Sequence, residues 1–268
     1  MKPSTRRPAS RARPRAAALL APSVEVSDEA GVRYLHFGSA WIQGAMRLRR
    51  THALELEYTR DMMFPLLLEP VDWPGRVLQV GLGAGSITKF LLRHRPRAQL
   101  TVVEVDPRVV AAAHAHFRLP RVEPRLSVEL GDGAAYVAGQ GGLFDWIVVD
   151  GFDARGQAGM LDTRAFYAHC RARLAPAGVL TTNLLRRTRG CEPSLARLRD
   201  AFDGRALALP TCTSGNTVAL AATGAPRALD RRALTEAATR LRAETGLSLL
   251  RTVGRLAAVT PKAGGLAL

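Results

Sequence analysis

Acidic side chains stand at the ends of three predicted strands in the middle of the chain. Glu104 closes the apolar run 100–104, Asp132 follows the next apolar run, and Asp150 ends a third. The carboxyl ends of parallel strands meet at one edge of an open α/β sheet, and such sheets bind their ligands there. We therefore expect these three carboxylates to line one shared hollow.

A glycine-rich turn precedes these acids. Gly81, Gly83 and Gly85 follow an apolar run and open a predicted helix. Because glycine has no Cβ, the backbone there can approach a bound ligand closely, with the helix N-terminus beside it. Glu104 lies 23 residues after Gly81, where an acid can accept both hydroxyls of a ribose, and Asp132 can receive an adenine amino group. The combination predicts an adenosine-binding site.

Asp150 and Asp153 form an acidic pair on the loop that follows the third of these strands. Two carboxylates three residues apart beside a nucleoside can orient a cationic amine and remove its proton, which leaves a neutral nucleophile. The structural alternative is that such an acid only caps a helix or closes a turn. The pair thus indicates chemistry on an amine.

An alternation of strands and helices after Pro74 has to position these side chains. Apolar runs at 76–80, 100–104, 126–130, 144–150 and 179–184 alternate with helical segments at 86–95, 108–117, 163–174 and 193–202. Two β runs between 207 and 222 flank the turn Ser214-Gly215-Asn216, and a last helix is expected over 231–244. The pattern predicts an α/β fold with a doubly wound, mostly parallel sheet and a C-terminal antiparallel hairpin.

The chain divides into three predicted regions. Residues 1–22 are rich in Pro, Ser, Arg and Ala without periodicity, which predicts a disordered basic tail. Residues 23–72 combine an alternating pattern, typical of a small β segment, with a helix over 55–68 that Pro65 should kink or stop. Residues 73–268 are predicted to form the nucleoside-binding catalytic domain.

Composition limits the class of protein. The 268 residues carry a formal net charge of +15, of which the first sixteen residues supply six. Three cysteines without a close pair fit neither a disulfide framework nor a metal site, and His114 and His116, two positions apart on a helix, cannot share a face. No apolar run reaches the roughly 18 residues of a membrane span. We therefore expect a cytoplasmic protein without a metal.

The longest motif is the loop Asp150–Leu161, whose sequence is D-G-F-D-A-R-G-Q-A-G-M-L. It resembles the D-S-S-D-P-x-G-P-A-x-x-L loop of the spermidine synthase-like aminopropyltransferases, which share the class I methyltransferase (Rossmann-like) fold. The resemblance covers about residues 32–222. The other matching segments are Val103–Pro107, Gly131–Gly133 and Phe166-Tyr167, with Ile42–Met46 and Leu56–Met62 in the places of two further family motifs.

The resemblance implies a role for each candidate residue. Asp150 would accept the proton of the attacking amine with the help of Tyr58, and Asp153 would bind the far end of the acceptor. Gln43 and Gln157 are further candidates for substrate binding. The residues expected to bind the donor are Gly81, Gly83, Gly85, Glu104 (ribose), Asp132 and Gly133 (adenine).

The implied reaction is a displacement at the carbon beside a sulfonium. An aminopropyl group would pass from decarboxylated S-adenosylmethionine to a small-molecule amine or polyamine, with release of methylthioadenosine. Because the positive sulfur already activates the donor, catalysis consists chiefly of alignment and deprotonation. The resemblance also implies a homodimer, whereas nucleic acid and membranes are not expected as partners.

Several positions depart from the family pattern and leave alternatives open. Ala84 replaces an aspartate that grips the ammonium of the donor, and Thr59, Ala154 and Gln157 replace a histidine and two prolines. Without a carboxylate at Ala84, a methyltransferase that uses intact S-adenosylmethionine on a small molecule is the nearest alternative. A second alternative is a non-catalytic nucleoside-binding or nucleic-acid-binding protein. A nicotinamide oxidoreductase is disfavoured, because Ser86 stands where a dinucleotide fingerprint has its last glycine.

Overall fold

The computed structural model describes residues 23–38, 42–152, 156–185, 190–259 and 266–268. The predicted tail, residues 1–22, lies outside the described residues. The first three strands, β1 (Val24–Glu29), β2 (Val32–Phe37) and β3 (Ile42–Arg47), form an antiparallel sheet in the order β1-β2-β3. The small N-terminal β segment predicted from the alternating pattern is therefore confirmed.

The helix predicted over 55–68 is present as two short pieces. Helix α1 spans Glu57–Asp61, and a separate 3-10 helix spans Phe64–Leu67. Pro65 lies in the first turn of the second piece, where its missing N–H is not needed. Inside one continuous helix the same proline would remove a hydrogen bond, so the chain stops and restarts there. Tyr58 is thereby placed on a short helix of its own.

A seven-stranded sheet forms the centre of the molecule, in the order β6-β5-β4-β7-β8-β10-β9. Neighbouring strands from β6 to β8 are parallel, and β10 runs antiparallel to both β8 and β9. In chain order the elements are β4 (Arg76–Val80), α2 (Ser86–His94), β5 (Gln99–Glu104), α3 (Pro107–His116), β6 (Leu126–Leu130), α4 (Gly133–Ala138), β7 (Phe144–Val149), a 3-10 helix (Gly159–Asp162), α5 (Arg164–Ala172), β8 (Leu174–Leu185), α6 (Glu192–Ala201), β9 (Ala206–Ala208) and β10 (Asn216–Ala222). The predicted mostly parallel sheet with a C-terminal antiparallel hairpin is confirmed.

Strand β7 lies between β4 and β8 and is buried on both faces. Trp146 and Val148 pack into the apolar cluster on one face of the sheet, and Ile147 and Val149 pack into the cluster on the other. The alternation follows from the two-residue period of a strand, and burial on both sides explains the nearly continuous apolar run in its sequence. This strand carries Asp150 at its carboxyl end.

The chain ends in two helices that pack near α1. After β11 (Ala228–Leu229), helix α7 spans Arg231–Thr245, helix α8 spans Leu250–Val259, and β12 (Leu266–Ala267) pairs with β11. Leu241 and Val253 from these helices share a core cluster with Met62 and Phe64. Helix α8 was not among the predicted elements, and it brings Thr252 and Arg255 to α1, where both donate hydrogen bonds to Asp61.

A buried lysine joins the glycine-rich region to the N-terminal sheet. Lys89 on α2 is 1% exposed, and its ammonium donates hydrogen bonds to the carbonyl oxygen of Phe117 at 2.6 Å and to the sulfur of Met46 at 3.2 Å. Burial lowers the pKa of Lys89 to about 7. Between that value and about 10.5, the unfolded chain holds the proton and the folded protein releases it. Stability therefore rises with pH across this window.

Replacing Lys89 with methionine should remove this pH dependence. The free energy of unfolding of wild-type protein is expected to rise by about 2 kcal/mol more than that of Lys89→Met between pH 7 and pH 9. Urea denaturation at both pH values measures the difference. Arg93→Met, a change of an exposed cation on the same helix, is the matched control and should keep the wild-type slope. Equal slopes in wild-type and Lys89→Met would show that the buried amine keeps an ordinary pKa.

Candidate active site

The glycine-rich turn between β4 and α2 lies directly against the end of β7. Gly81 has φ +91°, and a Cβ built there would lie 2.2 Å from the carbonyl oxygen of Asp150. The same backbone is held by hydrogen bonds from Gly81 N to Val103 O at 2.9 Å and from Asp150 N to Val80 O at 2.8 Å. Only a residue without a side chain fits at this point. The turn and Asp150 are therefore packed as one unit.

Glu104 ends β5 with its carboxylate pointing across the same edge. Oε2 accepts a hydrogen bond from the backbone N–H of Leu82 at 2.8 Å, and Oε1 accepts one from Asp106 N at 3.0 Å. The side chain is 8% exposed. Since each carboxylate oxygen can accept a further hydrogen bond, these contacts orient the group without exhausting it. Asp106 itself caps α3, where its Oδ1 accepts from Arg108 N.

Asp132 and Gly133 form the next part of the edge, after β6. Asp132 is the N-cap of α4, and its Oδ1 accepts a hydrogen bond from Ala135 N at 2.8 Å. The same carboxylate therefore caps α4 through Oδ1 and is the group predicted to contact adenine. A Cβ at Gly133 would lie 2.3 Å from Cγ1 of Val80, so this position is closed to any side chain without rearrangement.

Asp150 is held from two sides. Its Oδ2 accepts a hydrogen bond from the hydroxyl of Tyr58 at 3.2 Å, and its Oδ1 accepts one from the amide Nδ2 of Asn183 at 3.0 Å. Asn183 in turn accepts a hydrogen bond from Asn216 Nδ2 at 3.0 Å. The carboxylate is thus positioned by α1 and by the strand β8 beside its own.

The surroundings shift the pKa of both members of the Tyr58–Asp150 pair. Burial raises the pKa of Asp150 above its ordinary value, the charge of Glu104 adds to the rise, and the hydrogen bonds from Asn183 and Tyr58 oppose it. Burial and the neighbouring Asp150 carboxylate raise the pKa of Tyr58 well above its ordinary value. Tyr58 therefore stays a neutral hydrogen-bond donor, and Asp150 is a stronger proton acceptor than a solvated carboxylate.

The predicted side chains share one cavity of about 310 Å³. Its wall includes Asp150, Tyr58, Glu104, Asp132, Gly133, Gly81 and Gly83, together with Gln43 and Gln157. Gly85 does not line the cavity and is instead the N-cap of α2. Asp153 lies outside the described residues. Val105 and Met160, which are 69% and 65% exposed, form an apolar part of the cavity wall.

A second cavity, also of about 310 Å³, adjoins the first. Gln43, Tyr58 and Phe152 line both, so the two meet at the Tyr58–Asp150 pair. The other described lining residues of the second cavity are Ile42, Leu56, Glu57, Gly156, Asn183, Ser214 and Asn216. After the roles that the resemblance implies for their lining residues, we label the first the donor cavity and the second the acceptor cavity.

Asn183 and Asn216 are site residues that the sequence analysis did not identify. Asn183 lies on β8, near its carboxyl end, and Asn216 begins the antiparallel strand β10 next to it. The rule that led to Glu104 and Asp150, polar residues at the carboxyl ends of parallel strands, also applies to Asn183. Asn216 could be found only through the pairing of the hairpin with β8.

Neither metal ligation nor membrane insertion is indicated by the part of the chain that the structure describes. Within it, no three His, Cys, Asp or Glu side chains are grouped closely enough to hold a metal ion. Its helices are also too short or too polar to cross a membrane.

Comparison with known proteins identifies the family. Residues 55–186 match the family described as "Spermine/spermidine synthase domain". A polyamine aminopropyltransferase of Chromobacterium violaceum is 36% identical over 255 residues, which cover 95% of this chain and 97% of that protein.

Two solved structures share the fold. A probable spermidine synthase from Corynebacterium glutamicum has a TM-score of 0.68 at 18% identity and covers 84% of this chain and 91% of its own. A spermidine synthase in complex with the transition-state analogue AdoDATO has a TM-score of 0.64 at 22% identity and covers 89% and 85%. These neighbours and the strand order confirm the predicted class I methyltransferase-type fold. The chain belongs to the spermine/spermidine synthase family, the polyamine aminopropyltransferases, and is a transferase.

Proposed function

We propose that this protein transfers an aminopropyl group from decarboxylated S-adenosylmethionine to a small-molecule amine in polyamine biosynthesis. One observation carries the proposal. Asp150, Glu104 and Asp132 line a single cavity, and Asp150 is held there by Tyr58 and Asn183. The family membership and the naming of its relative for the same activity support it.

In this proposal the donor cavity receives the adenosyl group. Glu104 accepts the ribose hydroxyls with the lone pairs that its two backbone contacts leave over. Asp132 accepts the adenine amino group, and Gly133 beside it lets the backbone pack closely against Val80 at the cavity wall. The related synthase whose complex holds AdoDATO supports an adenosyl donor.

The chemical step needs a neutral amine beside the donor sulfonium. The acceptor nitrogen gives a proton to the carboxylate of Asp150 and attacks the carbon next to the sulfur. The carbon–sulfur bond breaks with its electron pair on sulfur, which leaves methylthioadenosine. The raised pKa of Asp150 brings its proton affinity closer to that of the amine, and Tyr58 keeps the carboxylate oriented.

The remaining residues are proposed on the resemblance and on their position. Gln43 and Gln157 contact substrate from the cavity wall. Asp153, which the resemblance alone assigns, binds the acceptor. We further propose that the protein works in the cytoplasm as a homodimer without a metal. Light scattering after gel filtration, and assays with and without a chelator, test the last two points.

The activity is tested by incubating the protein with decarboxylated S-adenosylmethionine and with putrescine, cadaverine or spermidine. We expect methylthioadenosine and an aminopropylated amine in equal amounts, measured by mass spectrometry. Background release with every amine would overturn the proposal.

A second function is favoured by one residue. Ala84 is 2% exposed and packs against Gly44, so the glycine turn offers no side-chain carboxylate to the donor at that position. A methyltransferase would accept intact S-adenosylmethionine there. Parallel incubations with the intact donor distinguish the two, because methyl transfer yields S-adenosylhomocysteine and a methylated amine.

Removing the Tyr58 hydroxyl should shift the pH dependence of the reaction. Its hydrogen bond lowers the pKa of Asp150, so Tyr58→Phe raises that pKa further. We expect the acidic limb of the kcat profile to move up by roughly one pH unit, so that kcat falls by up to about tenfold on that limb and by less on the plateau above it. Tyr136→Phe, which alters a tyrosine outside both cavities, should leave the profile unchanged. If the acidic limb of the kcat profile is unshifted in Tyr58→Phe, the Tyr58 hydroxyl does not influence the proton transfer to Asp150.

A further inference from the structure

The acceptor cavity contains one charged side chain among the described residues that line it. That residue is Glu57, and its described neighbours on the wall are apolar, amide, hydroxyl or glycine. Among the described lining residues, Glu57 is therefore the group that can attract a cation from within the cavity, while its partner Arg255 approaches it from outside the described lining. The cavity reaches the Tyr58–Asp150 pair on one side, and Glu57 is the neighbour of Tyr58 in the sequence.

Contacts from two distant parts of the chain hold Glu57 in place. Its Oε2 accepts hydrogen bonds from the backbone N–H of Thr213 at 3.0 Å and from the Thr213 hydroxyl at 2.5 Å. Its Oε1 accepts one from Nη1 of Arg255 at 3.0 Å. The carboxylate is 18% exposed. Thr213 and Arg255 both lie beyond residues 55–186, the span of the matched synthase domain, so this wall is built by the C-terminal region.

Glu57 is ionised, and Arg255 neutralises it only in part. Burial raises the pKa of Glu57, but the Thr213 hydrogen bonds and the charges of Arg255 and Arg251 together hold it below the ordinary value. Arg255 also donates to Oδ2 of Asp61 at the shorter distance of 2.6 Å, and its guanidinium is shared between the two acids. Oε1 of Glu57 accepts one hydrogen bond from Arg255, and a carboxylate oxygen can accept a second one from an ammonium group.

We propose that Glu57 is the specificity-determining residue for the acceptor, binding a second ammonium group while the reacting amine lies at Asp150. This proposal rests on the proposed function and adds that the C-terminal region sets the preference for diamines over monoamines. Charge-assisted hydrogen bonds of this kind distinguish a ligand with a second ammonium from one that ends in a methyl group.

The test compares two acceptors of equal chain length, putrescine and 1-aminobutane, at saturating donor. In the wild type we expect kcat/KM for the diamine to exceed that for the monoamine by about 10- to 100-fold. In Glu57→Gln, which keeps the shape and an acceptor oxygen, this ratio should fall to within about threefold of one. The loss should appear in the diamine alone, with the donor KM and the monoamine rate unchanged.

Matched variants separate recognition from folding. Glu55→Gln changes an acid two residues away that pairs with Arg47 and lines neither cavity, and it should keep the wild-type ratio. Thr213→Val removes one donor to Glu57 but keeps the charge, and it should lower the ratio by a smaller factor. A cooperative thermal unfolding transition shows that each variant is folded. The comparison of the two amines in the wild type tests the proposal without any substitution.

Two results would overturn the proposal, namely a wild-type ratio near one and an unchanged ratio in Glu57→Gln. In the second case, loss of the ratio in Asp153→Asn would assign the recognition to Asp153. If the wild type transfers no aminopropyl group to any amine, the proposed function itself fails, and that outcome is distinct from both.

Discussion

Replacing Asp150 with asparagine is expected to lower kcat by about 100- to 10,000-fold, the range that a positioned general base contributes. Asparagine keeps the size of the side chain and can still accept a hydrogen bond from Tyr58 or Asn183, so the cavity should retain its shape. It cannot take the proton of the amine. Steady-state release of methylthioadenosine measures the loss, and calorimetry should show that methylthioadenosine binds with nearly the wild-type affinity.

The pH dependence of Asp150→Asn gives a sharper test than the rate alone. A free alkyl amine loses its proton near pH 10.4, so the deficit of the variant should shrink as the assay pH approaches that value. Asp200→Asn, which alters an exposed acid on α6, should behave like the wild type throughout. A deficit that is constant from pH 7 to pH 10 would mean that Asp150 acts through charge or position and not as a base.

The second large effect is expected from Gly81→Ala. The added methyl group would overlap the carbonyl oxygen of Asp150 at 2.2 Å, and the residue would have to keep φ at +91°. The overlap involves backbone on both sides, so it can be relieved only by separating the turn from the end of β7. We expect the free energy of unfolding to fall by about 3 kcal/mol more than in a variant that carries the backbone strain alone.

Gly246→Ala is that matched variant. Gly246 ends α7 with φ +76°, and a Cβ there would meet no atom within 4 Å. Its substitution should cost about 1–2 kcal/mol, which is the strain of a left-handed alanine. Urea denaturation of both variants gives the two losses of unfolding free energy, and their difference is the steric cost of the overlap that Gly81→Ala creates with Asp150. Equal losses in the two would show that the turn moves away from Asp150 without penalty.

The edge of the sheet could be predicted because it follows from a local pattern. Apolar runs of strand length that alternate with helices imply parallel strands, and parallel strands bring Glu104, Asp132 and Asp150 to one edge whatever the details of packing. The structure places all three in the donor cavity. Asp106 is an acid directly before Pro107, a pattern typical of a helix start, and the structure shows its capping hydrogen bond from Arg108 N.

The wall of the acceptor cavity depends on pairings between distant parts of the chain. Arg255 reaches Glu57 and Asp61 across 198 and 194 positions in the sequence, and nothing in the local pattern of α8 indicates those partners. Helix α8 itself is short and follows Gly246, where the preceding helix ends in a left-handed residue. Asn183 lies within a strand, and its role depends on which strand lies beside β7.

The exposed apolar side chains of Val105 and Met160 have a consequence for the energetics of ligand binding. Both line the donor cavity, and a bound purine that covers them would remove apolar surface from water. Association should then have a negative heat-capacity change, so that its enthalpy becomes more exothermic as the temperature is raised. Alanine at both positions should flatten that temperature dependence, while the ribose contact proposed for Glu104 is left in place.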